Sequence, residues 1–141
     1  MTNYLHPVSR AFVALIFIIS GLGKVAAFAG VAGMMGAAGF PLPGLFLAAA
    51  ITIEIAGGLL LLLGWQTRLA AIALIVFLIP ATIVFHALPM SAGGQAVQEQ
   101  MVQVLKNLAI IGALLKFLAD GAGAFALDNV SVRRVDGSVT A

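Results

Sequence analysis

The chain has 141 residues, of which 62% are hydrophobic and 9% charged, with a mean hydropathy of +1.16; a soluble domain carries roughly a quarter charged residues, and a small one has too much surface to hide this apolar content. Composition therefore predicts an all-α integral membrane protein rather than a soluble fold. Seven Lys and Arg against five Asp and Glu give a net charge of +2, too sparse for the clustered basic face that nucleic acid requires, and the absence of Cys excludes thiolate nucleophiles, disulfide exchange and Cys-ligated metal or iron–sulfur centres within the chain.

A spanning helix needs about 20 mostly apolar residues, and four segments qualify: Val8–Phe28, Pro43–Leu63, Leu69–Leu88 and Met101–Leu118. The first has some features of a signal peptide, with Arg10, the apolar run Ala11–Gly23 and the small-x-small Ala27-Phe28-Ala29. It is long enough to span, however, and Lys24 follows the apolar run, so it is read as a retained helix. The connection Ala29–Leu42 carries Gly30, Gly33, Gly36 and Gly39 and stays apolar. A Gly-rich interfacial segment, a short helix or re-entrant turn at the outer membrane surface, is expected there, with the prolines of Phe40-Pro41-Leu42-Pro43 starting the next helix.

The second segment holds Glu54 near its middle, with no other charge between Lys24 and Arg68. An ionisable group at that depth costs about 2.5 kcal/mol or more unless paired or neutral. Gly64–Arg68 reads as a tight hairpin into the third segment, where Pro80 removes a backbone hydrogen bond and is expected to kink the helix below His86. Pro89–Gln100 is a polar loop, and Ala96–Gln100 can extend the fourth helix outward. That helix is interrupted by Lys106 and by Lys116, whose side chain can snorkel to the interface. The bundle is expected to occupy residues 1–128, with an extended or partly disordered end after Asp120 and a cytoplasmic tail at 129–141.

Four spans place both termini on one side, together with Arg10, Arg68, Lys116, Arg133 and Arg134. The positive-inside rule makes that side cytoplasmic. In this topology Glu54 lies about 16 Å from the outer end of its helix and Lys24 about 6 Å from the outer end of its own, at 1.5 Å per residue. His86 falls within a turn of the outer end of the third helix, and Lys106 and Asn107 one to two turns into the fourth. Ser20 with Lys24, Thr82 with His86, and Gln103 with Asn107 are i, i+4 pairs that each share a face. Glu54 shares its face with Ala50, Gly57 and Gly58, small residues that let a neighbouring helix approach. A polar pocket opening outward with Glu54 at its floor follows, with Lys24, Glu54, His86, Lys106 and Asn107 as candidate ligand-binding residues and Glu54 and His86 as candidate catalytic ones. Plainer roles compete: Lys24 snorkelling, His86 resting at headgroup level, Lys106 and Asn107 serving helix contacts, and Glu54 forming a structural pair with Lys24 or Lys106.

The same residues fall into a pattern. Gly21-Leu22-Gly23-Lys24 with Phe28, Gly39-Phe40-Pro41-Leu42-Pro43, Glu54 with Gly57-Gly58-Leu59-Leu60 and Gly64, Thr67-Arg68-Leu69-Ala70-Ala71, His86, Lys106-Asn107-Leu108 and Asp120-Gly121-Ala122-Gly123 with Leu127-Asp128 together resemble the DoxX family of small bacterial and archaeal membrane proteins. The match covers most of Val8 to Asp128 and departs at Ala126, where similar proteins often carry Ser. The resemblance implies a four-helix fold in the cytoplasmic membrane. It also implies association with redox assemblies, since the family takes its name from a subunit associated with thiosulfate:quinone oxidoreductase.

Three functions are open on this reading: a subunit or anchor of a membrane redox assembly, without certain catalysis of its own; a quinone-binding subunit; and a small transporter or proton pathway. A quinone would need an apolar cavity with a few donors, for which His86, Lys24 and Lys106 are suited, and Glu54 could carry a proton. The chain has no recognisable haem, flavin or iron–sulfur motif and no metal set is expected, so a bound quinone is the expected cofactor and a redox protein the expected source of electrons. The lipid bilayer, a redox partner and a second copy of the chain are the candidate partners.

Overall fold

A computed structural model describes residues 2–91 and 97–130. Helix α1 runs Leu5–Ala26, α2 Phe28–Ala37, α3 Pro43–Leu63 and α4 Thr67–Thr82; a π-helical turn at Ile83–Ala87 leads into the single turn α5, Leu88–Ser91, and α6 runs Val97–Asp120. Four helical stretches are long and apolar enough to cross a membrane: α1, α3, α4 continued through the π-turn to Ala87, and α6. Among the described residues there is no strand. The fold is an all-α membrane bundle, as composition required.

The Gly-rich segment is helical. The backbone leaves helical geometry at Ala27 (φ −105°, ψ 24°) and resumes as α2, so Phe28 begins a second helix instead of ending the first. Gly30 and Gly33 face open space; nothing in the structure explains them. Helix α3 starts with Pro43 at its first turn, where the missing N–H is no loss. It ends in a Schellman motif: Trp65 N–H bonds Leu60 O at 2.9 Å and Gly64 N–H bonds Leu61 O at 3.2 Å. Gly64 sits at φ +63°, and a Cβ there would lie 2.7 Å from Ala126 Cβ, so conformation and packing both demand glycine.

Helix α1 packs mainly on α3, and α4 mainly on α6, while α3 and α4 join the two pairs. Close approach comes from the small residues of α3. A Cβ on Gly58 would lie 2.8 Å from Ile18 of α1, and one on Gly57 would lie 2.9 Å from Leu74 of α4. Such contacts matter because lipid offers no hydrophobic drive for helices to associate, which leaves tight packing and hydrogen bonds to hold them. Ala14, Phe17, Leu61, Leu74, Leu114 and Phe117 form the core. Phe12, Ile19, Leu22, Val76, Leu105 and Leu108 point outward and are exposed, the arrangement expected where the surrounding solvent is acyl chain.

Residues 121–130 do not trail away as expected. They fold back beneath the bundle, with Ala122 and Ala126 buried, and Asp128 N–H bonds Gly64 O at 2.9 Å. The tail residues 131–141, with Arg133 and Arg134, lie outside the described residues, as do residues 92–96 of the expected loop Pro89–Gln100, which is helical on either side of them, in α5 and α6.

Candidate functional site

Helix α1 brings Ser20 and Lys24 to one face by their four-residue spacing, and α3 sets Glu54 opposite them. Lys24 Nζ bonds Glu54 Oε1 at 2.9 Å and lies 2.8 Å from Oε2. Ser20 Oγ accepts from Lys24 Nζ at 2.6 Å and donates to Glu54 Oε1 at 3.0 Å. The Glu54 side chain is 5% exposed and that of Lys24 28%. A buried carboxylate without a partner would cost about 2.5 kcal/mol or more in the bilayer; here it is met by an ammonium and a hydroxyl, both from α1.

The second helix pair has its own polar links. Asn107 Nδ2 of α6 donates to Thr82 Oγ1 at 2.9 Å, and Thr82 Oγ1 donates to Leu78 O at 2.7 Å. His86 stands in the π-turn that follows Pro80 in the chain, where the proline has already withdrawn a donor from the helical ladder. Its Nδ1 lies 2.8 Å from Gln100 Oε1. An amide oxygen only accepts, so Nδ1 carries the hydrogen and Nε2 of the neutral ring is left as an acceptor. Lys106 bonds Gln103 one turn back on the same helix.

All five candidate residues line one cavity of about 450 Å³, with Ser20 beside them and Val31, Met34 and Met35 of α2 forming part of its wall. The candidates come from four separate helical stretches, yet among the described residues the polar partners of Glu54 are the α1 pair; His86, Lys106 and Asn107 are bonded to other residues. The expected single cluster is thus two polar walls facing across a space within the size range of small-molecule sites. Its ionisable lining is two lysines and a histidine against one glutamate; the ammonium groups suit acceptors on a ligand, and His86 Nε2 suits a donor.

A second polar centre, at the end of the bundle that carries the N-terminus, went unrecognised in the sequence. Arg10 was expected at the membrane surface; it is 1% exposed. Its Nη1 donates to Ala122 O and, at 3.2 Å, to Ala124 O, and its Nη2 donates to Phe125 O at 2.7 Å. Asp128 of the same segment accepts from Gln66 N at 2.6 Å and Thr67 N at 3.1 Å. It thereby caps α4, whose own N-cap residue, Gln66, makes no side-chain cap. Arg68 adds a bond to Ala119 O at 3.3 Å. The Arg10 acceptors are backbone carbonyls more than 110 positions away, which no local pattern announces. The available signal was the glycine-rich run before Asp128, which needs turns and not an open tail.

Fold and site together define a small multi-pass membrane protein with ionisable groups held inside its bundle. The DoxX family pattern matches residues 7–87. Over 121 residues the chain is 34% identical to inner membrane protein YphA of Escherichia coli (strain K12), covering 86% of both proteins. It is 33% identical over 123 residues to inner membrane protein YqjF of the same organism, covering 87% of this chain and 88% of the relative. No solved structure matches the chain. The chain belongs to the DoxX family and is a multi-pass inner membrane protein in contact with lipid.

Proposed function

We propose that this protein is a membrane subunit of a redox assembly, holding the head of a quinone-type ligand in the cavity between Lys24–Glu54 and His86, with electrons supplied by a partner protein. The observation that carries the reading is the convergence of donors and an acceptor on one largely apolar cavity. Lys24 and Lys106 offer ammonium donors to carbonyl oxygens, and His86 Nε2 can take the proton of a hydroxyl. Glu54 keeps the Lys24 ammonium oriented and offsets its charge. The contribution of Glu54 and His86 would be to hold and move protons. The proposed orientation keeps both termini in the cytoplasm, with Arg68 and Lys116 on that side and the cavity in the outer half of the membrane.

Transport fits less well. Leu61, Leu74 and Leu114 are fully buried and occupy the helical turns between the cavity and the Arg10 centre, so the lining favours binding over conduction. A purely architectural role draws support from Asn107–Thr82, which links α4 and α6 without needing a ligand.

Purification in mild detergent followed by extraction and identification of quinones tests the proposal. Wild-type protein is expected to retain a quinone, and Lys24→Met and His86→Ala to lose at least tenfold of it. His86 is partly exposed, so its variant is expected to keep the thermal unfolding temperature of the parent. Protein that carries no quinone and binds none on titration would leave only the architectural role.

A further inference from the structure

Between α3 and α4 lies a second space of about 250 Å³, bounded by Phe46, Ala49 and Ile53 on one side and Phe77, Pro80 and Val84 on the other. Every residue lining it is apolar. It shares Met35, Ala50, Phe77, Ala81 and Val84 with the polar cavity, so the two adjoin along that common lining. Helices α3 and α4 touch closely at Gly57 and Leu74; further along, small side chains at Ala49, Ala50 and Ala81 leave the slot. Ala49, Phe46 and Pro80 are exposed on the flank of spanning segments, so the mouth of the slot faces acyl chains, not water.

We infer that this slot is a lateral portal, through which a membrane-soluble amphiphile enters from the bilayer and in which its single apolar tail remains while the polar head occupies the Lys24–Glu54–His86 cavity. The inference rests on the binding role proposed above and adds the ligand's architecture and route. Three observations converge on that occupant. The slot carries no group that could hold a polar moiety, the cavity beside it carries all the ionisable ones, and their shared boundary includes the small side chains of Ala50 and Ala81. A tail placed there stays in apolar surroundings along its whole length, so binding removes no apolar surface to water and the head alone sets orientation.

The absence of cysteine permits a test that plugs the slot after folding. Ala49→Cys is a near-isosteric change at an exposed site, and the introduced thiol can be labelled with a bulky thiol reagent. Unlabelled and labelled protein in phosphatidylcholine nanodiscs are titrated with a tail-less dimethoxy-methyl-benzoquinone and with its decyl derivative. Labelling is expected to weaken the decyl compound at least tenfold and the tail-less compound less than twofold, and bound decyl-quinone is expected to slow labelling. Undiminished binding of the decyl compound after labelling would overturn the portal, as would equal loss of both compounds. Unlabelled protein that binds neither quinone would instead refute the binding role, and the portal with it.

Discussion

Glu54 and Lys24 stabilise each other across α1 and α3, and each is costly without the other. Breaking a buried pair from one side leaves an uncompensated charge, whereas replacing both partners with apolar groups removes the desolvation cost together with the attraction. Lys24→Met is therefore expected to lower stability by about 3 kcal/mol, the lower end for a broken buried pair because Lys24 keeps some exposure. The double variant Lys24→Met/Glu54→Leu is expected to recover most of that loss. Thermal unfolding of the four proteins of this cycle in one detergent is the measurement; additive losses would show that the two side chains do not act as a pair. At this scale the sequence was informative: a carboxylate alone in an apolar run demands a cation, and the spacing of Ser20 and Lys24 pointed both toward it. The choice between Lys24 and Lys106 was not legible. It depends on α1, and not α6, being the helix that Gly58 of α3 meets.

Among the elements, α4 shows how a helix end can be completed from afar. Gln66 and Thr67 expose backbone N–H groups, and Asp128 supplies both acceptors while its negative charge sits at the positive end of the helix dipole. Asp128→Ala is expected to cost about 1 kcal/mol, the typical value of a lost N-cap. Asp128→Asn is expected to retain roughly half of that contribution, since one oxygen acceptor remains. Urea or thermal unfolding of both variants checks the order; equal losses would assign the effect to charge alone. The long helices themselves were legible because apolar run length is a local property. The break at Ala27 and the π-turn after Pro80 were not, since each is a change of backbone geometry confined to one or a few residues that apolar content does not report.

At the scale of the whole molecule, the segment 121–130 closes the N-terminal end of the bundle. It supplies all three carbonyls to Arg10, the cap to α4 and the wall against Gly64. Truncation after Asp120 is expected to lower the unfolding temperature markedly, because a buried guanidinium loses its acceptors. In that shortened chain, Arg10→Met is expected to cost much less than in the intact one, or to stabilise, and unfolding temperatures of the four combinations measure this. An Arg10→Met effect of the same size in both backgrounds would separate Arg10 from the segment.

What the sequence determined by itself was the solvent and the framework. Composition placed the chain in a membrane, run length set four spanning helices, and the cost of an isolated carboxylate singled out Glu54. Those conclusions follow from local chemistry and need no knowledge of partners. Tertiary structure alone decided how the polar groups were shared: Glu54 with Lys24 and Ser20, Asn107 with Thr82, His86 with Gln100, and Arg10 with backbone carbonyls at the far end of the chain. Hydrogen bonds between helices depend on which faces meet and at what depth, and helix faces in lipid are selected by close packing of small residues over many positions at once.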